Sequence, residues 1–159
     1  MKPIGWVLIV VLYILAAICD QASSAGQLFG PAGPDCLTVV ALCVAVVSRP
    51  AVGALAGFIA GLLSGSIIGA NMAQWIITRT LAGFGVSLAI RLRVEVNTVT
   101  AALAVLIGVF VSRVAYLVLI SPPGLGPLLL QSIISSFISG LLALPVYALL
   151  SRTVAAERT

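Results

Sequence analysis

Residues 49–69 read Arg49-Pro50-Ala51-Val52-Gly53-Ala54-Leu55-Ala56-Gly57-Phe58-Ile59-Ala60-Gly61-Leu62-Leu63-Ser64-Gly65-Ser66-Ile67-Ile68-Gly69, with glycine at every fourth position from Gly53. In a water-soluble helix each such glycine would cost about 1 kcal/mol relative to alanine. In lipid the balance shifts, because small residues let helix backbones approach and gain contacts that hydrocarbon tails cannot supply. On a helical projection Gly53, Ala56, Gly57, Ala60, Gly61 and Ser64 fall on one smooth stripe, and Leu55, Ile59 and Leu62 lie opposite. The segment is built to press against another helix.

Composition sets the solvent. The chain of 159 residues is 62% hydrophobic and 8% charged, whereas a soluble domain is about 25% charged. Its mean hydropathy is +1.28. No polar stretch is long enough for a second domain, so residues 1–159 read as one membrane-embedded unit. The net charge of +4 is spread too thinly to follow a phosphate backbone, and no nucleic-acid partner is expected.

A bilayer span needs about 20 residues. Apolar segments fall near residues 4–22, 34–48, 51–66, 69–90, 97–120 and 126–151, separated by Gly/Pro breaks, by Ser64-Gly65-Ser66 and by charges. With six spans, Lys2, Arg49, Arg91, Arg93, Arg152 and Arg158 fall on one side, and the connections around residues 23–33, 64–68 and 121–125 carry no Lys or Arg. That pattern predicts both termini in the cytoplasm. Merging the second and third segments into one kinked helix would strand Arg49 in mid-bilayer and turn the Arg91/Arg93 loop outward, so six spans are expected.

Lys2, an apolar run and Ser23-Ser24-Ala25 have the outline of a secretory leader. The run is long, and its removal would spoil the charge parity, so residues 4–22 read as a retained first helix. Cys19 and Cys36 fall near the predicted outer ends of adjacent helices, where an oxidising compartment would permit a disulfide. The alternative, preferred on the residues alone, is that they and Cys43 act as small buried hydrophobes.

The catalytic inventory is sparse. There is no histidine, and the four acids, Asp20, Asp35, Glu95 and Glu157, are dispersed at predicted membrane surfaces. Nucleophile–base pairs and carboxylate dyads have no material. The glycines lie inside an apolar helix with no Lys-Ser/Thr after them, so they form no phosphate loop. No enzyme activity, cofactor or metal site is expected.

Two arginines lie within spans, where each costs roughly 2.5–3.5 kcal/mol and is a functional candidate by default. Arg113 lies about two helical turns from the outer end of its segment. It is within reach of Asp20 or Asp35 and level with Gln131-Ser132-Ile133-Ile134-Ser135-Ser136. Arg79 is deeper, with Trp75 one turn away for a cation–π contact. No buried acid is expected beside either, which argues against an ion relay. Clamps between helices and contacts to a partner's membrane helix are the two open readings, and Arg79, Arg113 and Asp35 are the candidate partner contacts. Ser132, Ser135, Ser136 and Ser139 read as small packing residues with modest hydrogen bonds. With the stripe Asn71, Gln74 and Thr78 they predict a small polar cavity. Trp6 and Tyr147 suit anchoring at the inner interface.

Pro34-Asp35 leading into an apolar run, the stretch from Arg49 to Gly65, and Ile68-Gly69 resemble the bacterial rod shape-determining MreD family. The resemblance covers nearly the whole chain in hydropathy and spacing, and residues 34–69 carry its pattern. Family members often have an acid within 61–64, where this chain has Leu62 and Leu63. They often have a histidine after the position of Gly69, where it has Ala70-Asn71. The resemblance implies an all-α, six-transmembrane-helix bundle, similar in fold to the S-components of energy-coupling-factor transporters. It implies a non-enzymatic, multi-pass scaffold of the bacterial inner membrane, serving rod shape and lateral peptidoglycan synthesis. The implied partners are an MreC-like bitopic protein, an MreB-like cytoskeleton and the elongation glycosyltransferase and transpeptidase. The alternative is a substrate-binding subunit of an energy-coupling-factor vitamin transporter. Such subunits typically dock through an Ala-x-x-x-Ala patch on the first helix. Here Ala16 is followed four positions on by Asp20, and Ala17 by Gln21, so the patch is absent.

Overall fold

The computed structural model describes residues 3–24, 33–92, 97–121 and 125–155. They form six helices: α1 (Pro3–Ser24), α2 (Cys36–Val47), α3 (Pro50–Ile68), α4 (Met72–Arg91), α5 (Thr98–Ile120) and α6 (Leu125–Ala155). There is no strand among the described residues. Helices α3 to α6 are long and apolar enough to cross a membrane, while α2 and the Trp6–Ala22 part of α1 are apolar but shorter.

The bundle is built around α2. Every residue from Leu37 to Val46 is buried, as expected of a helix apolar on all sides. It packs against each of the other five helices, and α1 leans mainly on α2 and α3. The outer faces stay apolar: Val10, Ile14 and Ile18 on α1, Ile107, Val111 and Val118 on α5, and Phe137 and Leu141 on α6 are all exposed. Apolar surface this extensive is what a lipid-facing bundle presents.

The most extensive helix contact joins α3 to α4. The smooth stripe of α3 faces inward, with Gly53, Ala56, Gly57, Ala60, Gly61, Ser64 and Gly65 buried. Leu55, Phe58, Ile59 and Leu62 face out. A Cβ on Gly61 would come within 2.6 Å of the Trp75 carbonyl oxygen, and one on Gly53 within 2.7 Å of the Gly83 carbonyl oxygen. Backbone thus lies on backbone, a contact that any larger residue would push apart.

Two sequence expectations need correction. The break expected at Ser64-Gly65-Ser66 is helical, and α3 runs on to Ile68. The stop is Gly69, whose positive φ of 70° forms a left-handed cap with its N–H on the Gly65 carbonyl. Tyr147 is buried at 7% exposure and does not face the interface, whereas Trp6 is exposed. Of the basic residues in the charge pattern, Lys2, Arg93 and Arg158 lie outside the described residues. Arg49 precedes α3, Arg91 ends α4 and Arg152 lies in the last turn of α6, all at one end of the bundle.

Candidate functional site

The other end of the bundle holds the polar chemistry, and the shortness of α2 puts it there. Its 12 residues rise about 18 Å. The 23 residues of α5 rise about 35 Å. The first turn of α2 therefore starts inside the bundle, where its free N–H groups must find acceptors. Two carboxylates supply them. Asp20 accepts from Cys36 N at 2.7 Å and from Leu37 N at 3.3 Å. Asp35, the N-cap, accepts from Thr38 N at 3.2 Å through its side chain and from Val39 N at 3.0 Å through its carbonyl. Both carboxyl groups also lie at the positive end of the helix dipole.

Helix α6 holds the segment that leads in. Ser135 Oγ donates to the Gly33 carbonyl at 2.8 Å, and Ser139 Oγ accepts from Asp35 N at 3.2 Å. Ser132 and Ser136 instead bond back to carbonyls of α6 itself, at 2.8 and 2.6 Å. The packing expectation for the serines is thus refined: Ser135 and Ser139 satisfy backbone groups that burial would otherwise leave unpaired.

Arg79 reaches Asp35 from α4. Its Nη2 donates to both carboxylate oxygens at 2.8 Å. Its Nη1 donates to the Ala60 carbonyl at 3.0 Å and to Ser64 Oγ. The guanidinium carbon lies 4.6 Å from the centroid of the Trp75 ring, which stacks on Tyr116 at 3.9 Å. The cation–π contact matches the sequence reading, but the expectation that no buried acid accompanies Arg79 is overturned. Asp35 is buried, at 5% exposure, because its helix is too short to bring it to the surface. The glycine stripe supplies the approach: a Cβ on Gly57 would run into the Arg79 backbone carbonyl. Without that closeness the guanidinium would sit farther from the acceptors on α3.

Arg113, on α5, approaches the same carboxylate less closely. Its Nε lies 3.9 Å from Asp35 Oδ2, the outer limit of an ion pair, and has no hydrogen-bond partner among the described residues. The indole N–H of Trp75 also lacks one. Both residues line a pocket of about 140 Å³ with Tyr116, Leu117, Leu128, Gln131 and Ser132. Arg113 does lie beside Gln131 and Ser132, as their level in the sequence suggested. The second stripe does not join them. Asn71 is exposed at the start of α4, and Thr78 turns its hydroxyl onto the Gln74 carbonyl at 2.8 Å. That local bond competes with any outward role.

The arrangement is a clamp with one open side. Arg79 and Asp35 bind α2, α3 and α4 together through Arg79 Nη1 and Nη2, while Arg79 Nε, like Arg113 Nε and Trp75 Nε1, has no hydrogen-bond partner among the described residues. Among the described residues, no three His, Cys, Asp or Glu side chains gather as a metal site. No family model, curated protein or solved structure matches the chain.

Proposed function

We propose that this chain is a non-enzymatic scaffold of the bacterial inner membrane, of the rod shape-determining MreD kind, which holds other proteins of the cell-elongation machinery. On this reading it crosses the membrane six times with both termini in the cytoplasm, in a bundle like the S-component fold. The observation that carries the proposal is the pair of unpartnered donors, Arg113 Nε and Trp75 Nε1, on residues lining one small pocket. A buried donor left without an acceptor costs about 1–3 kcal/mol. A partner offering a carboxylate or a backbone carbonyl at that depth would recover this. Arg79 spends both terminal nitrogens on internal acceptors and, although its Nε is also unpartnered, it does not line that pocket, so the partner contact falls to Arg113. An MreC-like bitopic protein is the first expected partner, ahead of the MreB-like cytoskeleton and the elongation glycosyltransferase and transpeptidase.

The vitamin-transporter reading draws support from the mixed aromatic and polar lining of the same pocket. Its volume of about 140 Å³ argues the other way, since small-molecule sites run to roughly 300–1,000 Å³. Depletion in the native bacterium, scored by cell shape and by vitamin requirement, separates the two. Rounded cells support the scaffold, and auxotrophy supports the transporter. Arg113→Gln should weaken co-purification of the bitopic partner while the isolated protein melts as before; unchanged co-purification would remove Arg113 from the contact.

A further inference from the structure

Cys19 Sγ and Cys36 Sγ lie 3.0 Å apart, about 1 Å beyond the length of a disulfide bond. The approach is held by a second, independent contact: Asp20, beside Cys19, accepts from the backbone N–H of Cys36 at 2.7 Å. Both thiols are half-buried, and Cys43 is fully buried. The pair lines a groove of about 180 Å³ between α1, α2 and α6, with Leu12, Val39 and Leu142 among its walls. The end of the bundle matters as well. Cys19 and Cys36 sit at the end opposite Arg49, Arg91 and Arg152.

We propose that Cys19 and Cys36 are joined as a disulfide that staples α1 to the start of α2. The inference rests on the proposed orientation, which puts this end of the bundle in the oxidising compartment. One thiolate attacks the disulfide of a dithiol–disulfide oxidase, forming a mixed disulfide and releasing one oxidase thiolate. The second cysteine thiolate attacks the sulfur of the first and releases the other oxidase thiolate. Two electrons pass to the oxidase disulfide, and the two cysteine protons go to solvent or to the departing thiolates. The staple suits its place, because α1 has few neighbours and the link closes it onto the helix that carries Asp35.

The test uses the full chain, expressed in its native membrane and quenched with N-ethylmaleimide before solubilisation. In Cys43→Ser protein, intact mass should show no maleimide before reduction and two maleimides after it. Two maleimides without prior reduction would overturn the proposal. The purified, reduced protein is then treated with oxidised glutathione in detergent, which locates any failure. Rapid loss of both free thiols there, after free thiols in the cell, would mean that the geometry holds and the orientation is wrong. Persistent free thiols in both would mean that the geometry itself is wrong. Cys19→Ser should leave Cys36 labelled in the cell and abolish the difference in melting temperature between reduced and oxidised protein.

Discussion

Asp35 and Arg79, 44 positions apart in the chain, meet with both carboxylate oxygens 2.8 Å from a single guanidinium nitrogen, Nη2. A side-by-side fork would have used Nη1 as well. Turning one nitrogen to the acid frees Nη1 for the Ala60 carbonyl and Ser64 Oγ on α3, so one side chain ties three helices.

Arg79→Met should therefore be costly. Removing one partner of a buried ion pair typically costs about 3–5 kcal/mol, because the other charge is stranded. Asp35→Asn with Arg79→Met should recover part of that loss, since asparagine still caps a helix. Detergent melts or denaturant titrations of the single and double variants check this. A double variant no more stable than Arg79→Met would show that the acid is not what Arg79 holds.

Gly57→Ala should destabilise by about 1–3 kcal/mol as the α3 and α4 backbones are forced apart. Gly85→Ala, on the open face of α4 where an added Cβ meets nothing within 4 Å, should be neutral or slightly stabilising. Equal melting temperatures for the two variants would mean that the backbones are not in contact at Gly57.

The helices were legible in the sequence because breakers and apolar runs mark them directly, and the glycine stripe because its period of four can only be one face of a helix. The Asp35–Arg79 pair was not legible, since nothing local links two residues so far apart. A signal was present all the same. The apolar run after Asp35 is shorter than its neighbours, so its start had to lie inside the bundle, and a buried acid there needs a cation. The roles of Ser135 and Ser139 were hidden for the same reason: they answer to the backbone of residues 33–35 and not to one another.

Tyr13→Phe should cost about 1 kcal/mol by removing the hydroxyl that donates to the Ala56 carbonyl, at 2.8 Å. That bond ties α1 to α3, so hydrogen exchange should rise mainly in α1. Uniform acceleration across all helices would show that α1 is not an independently opening unit.

The proposed orientation, with both termini in the cytoplasm, can be read by reporter fusions. Fusions after Ala25 and after Pro123 should report the periplasm, and fusions after Arg93 and after Thr153 the cytoplasm. A cytoplasmic signal after Pro123 would end the six-span arrangement with both termini inside.

The acceptors of Arg79 have one more property in common, which is their order along the chain. Asp35, Ala60 and Ser64 all precede it. A ribosome making this protein from its N-terminus has therefore delivered the whole receptor for the guanidinium before α4 emerges. The arginine can enter the membrane alongside helices that already solvate it, and need never face hydrocarbon alone. Arg113 has a different history: Gln131 and Ser132, which share its pocket, are made after it, so the open side of the clamp is also the last to be completed.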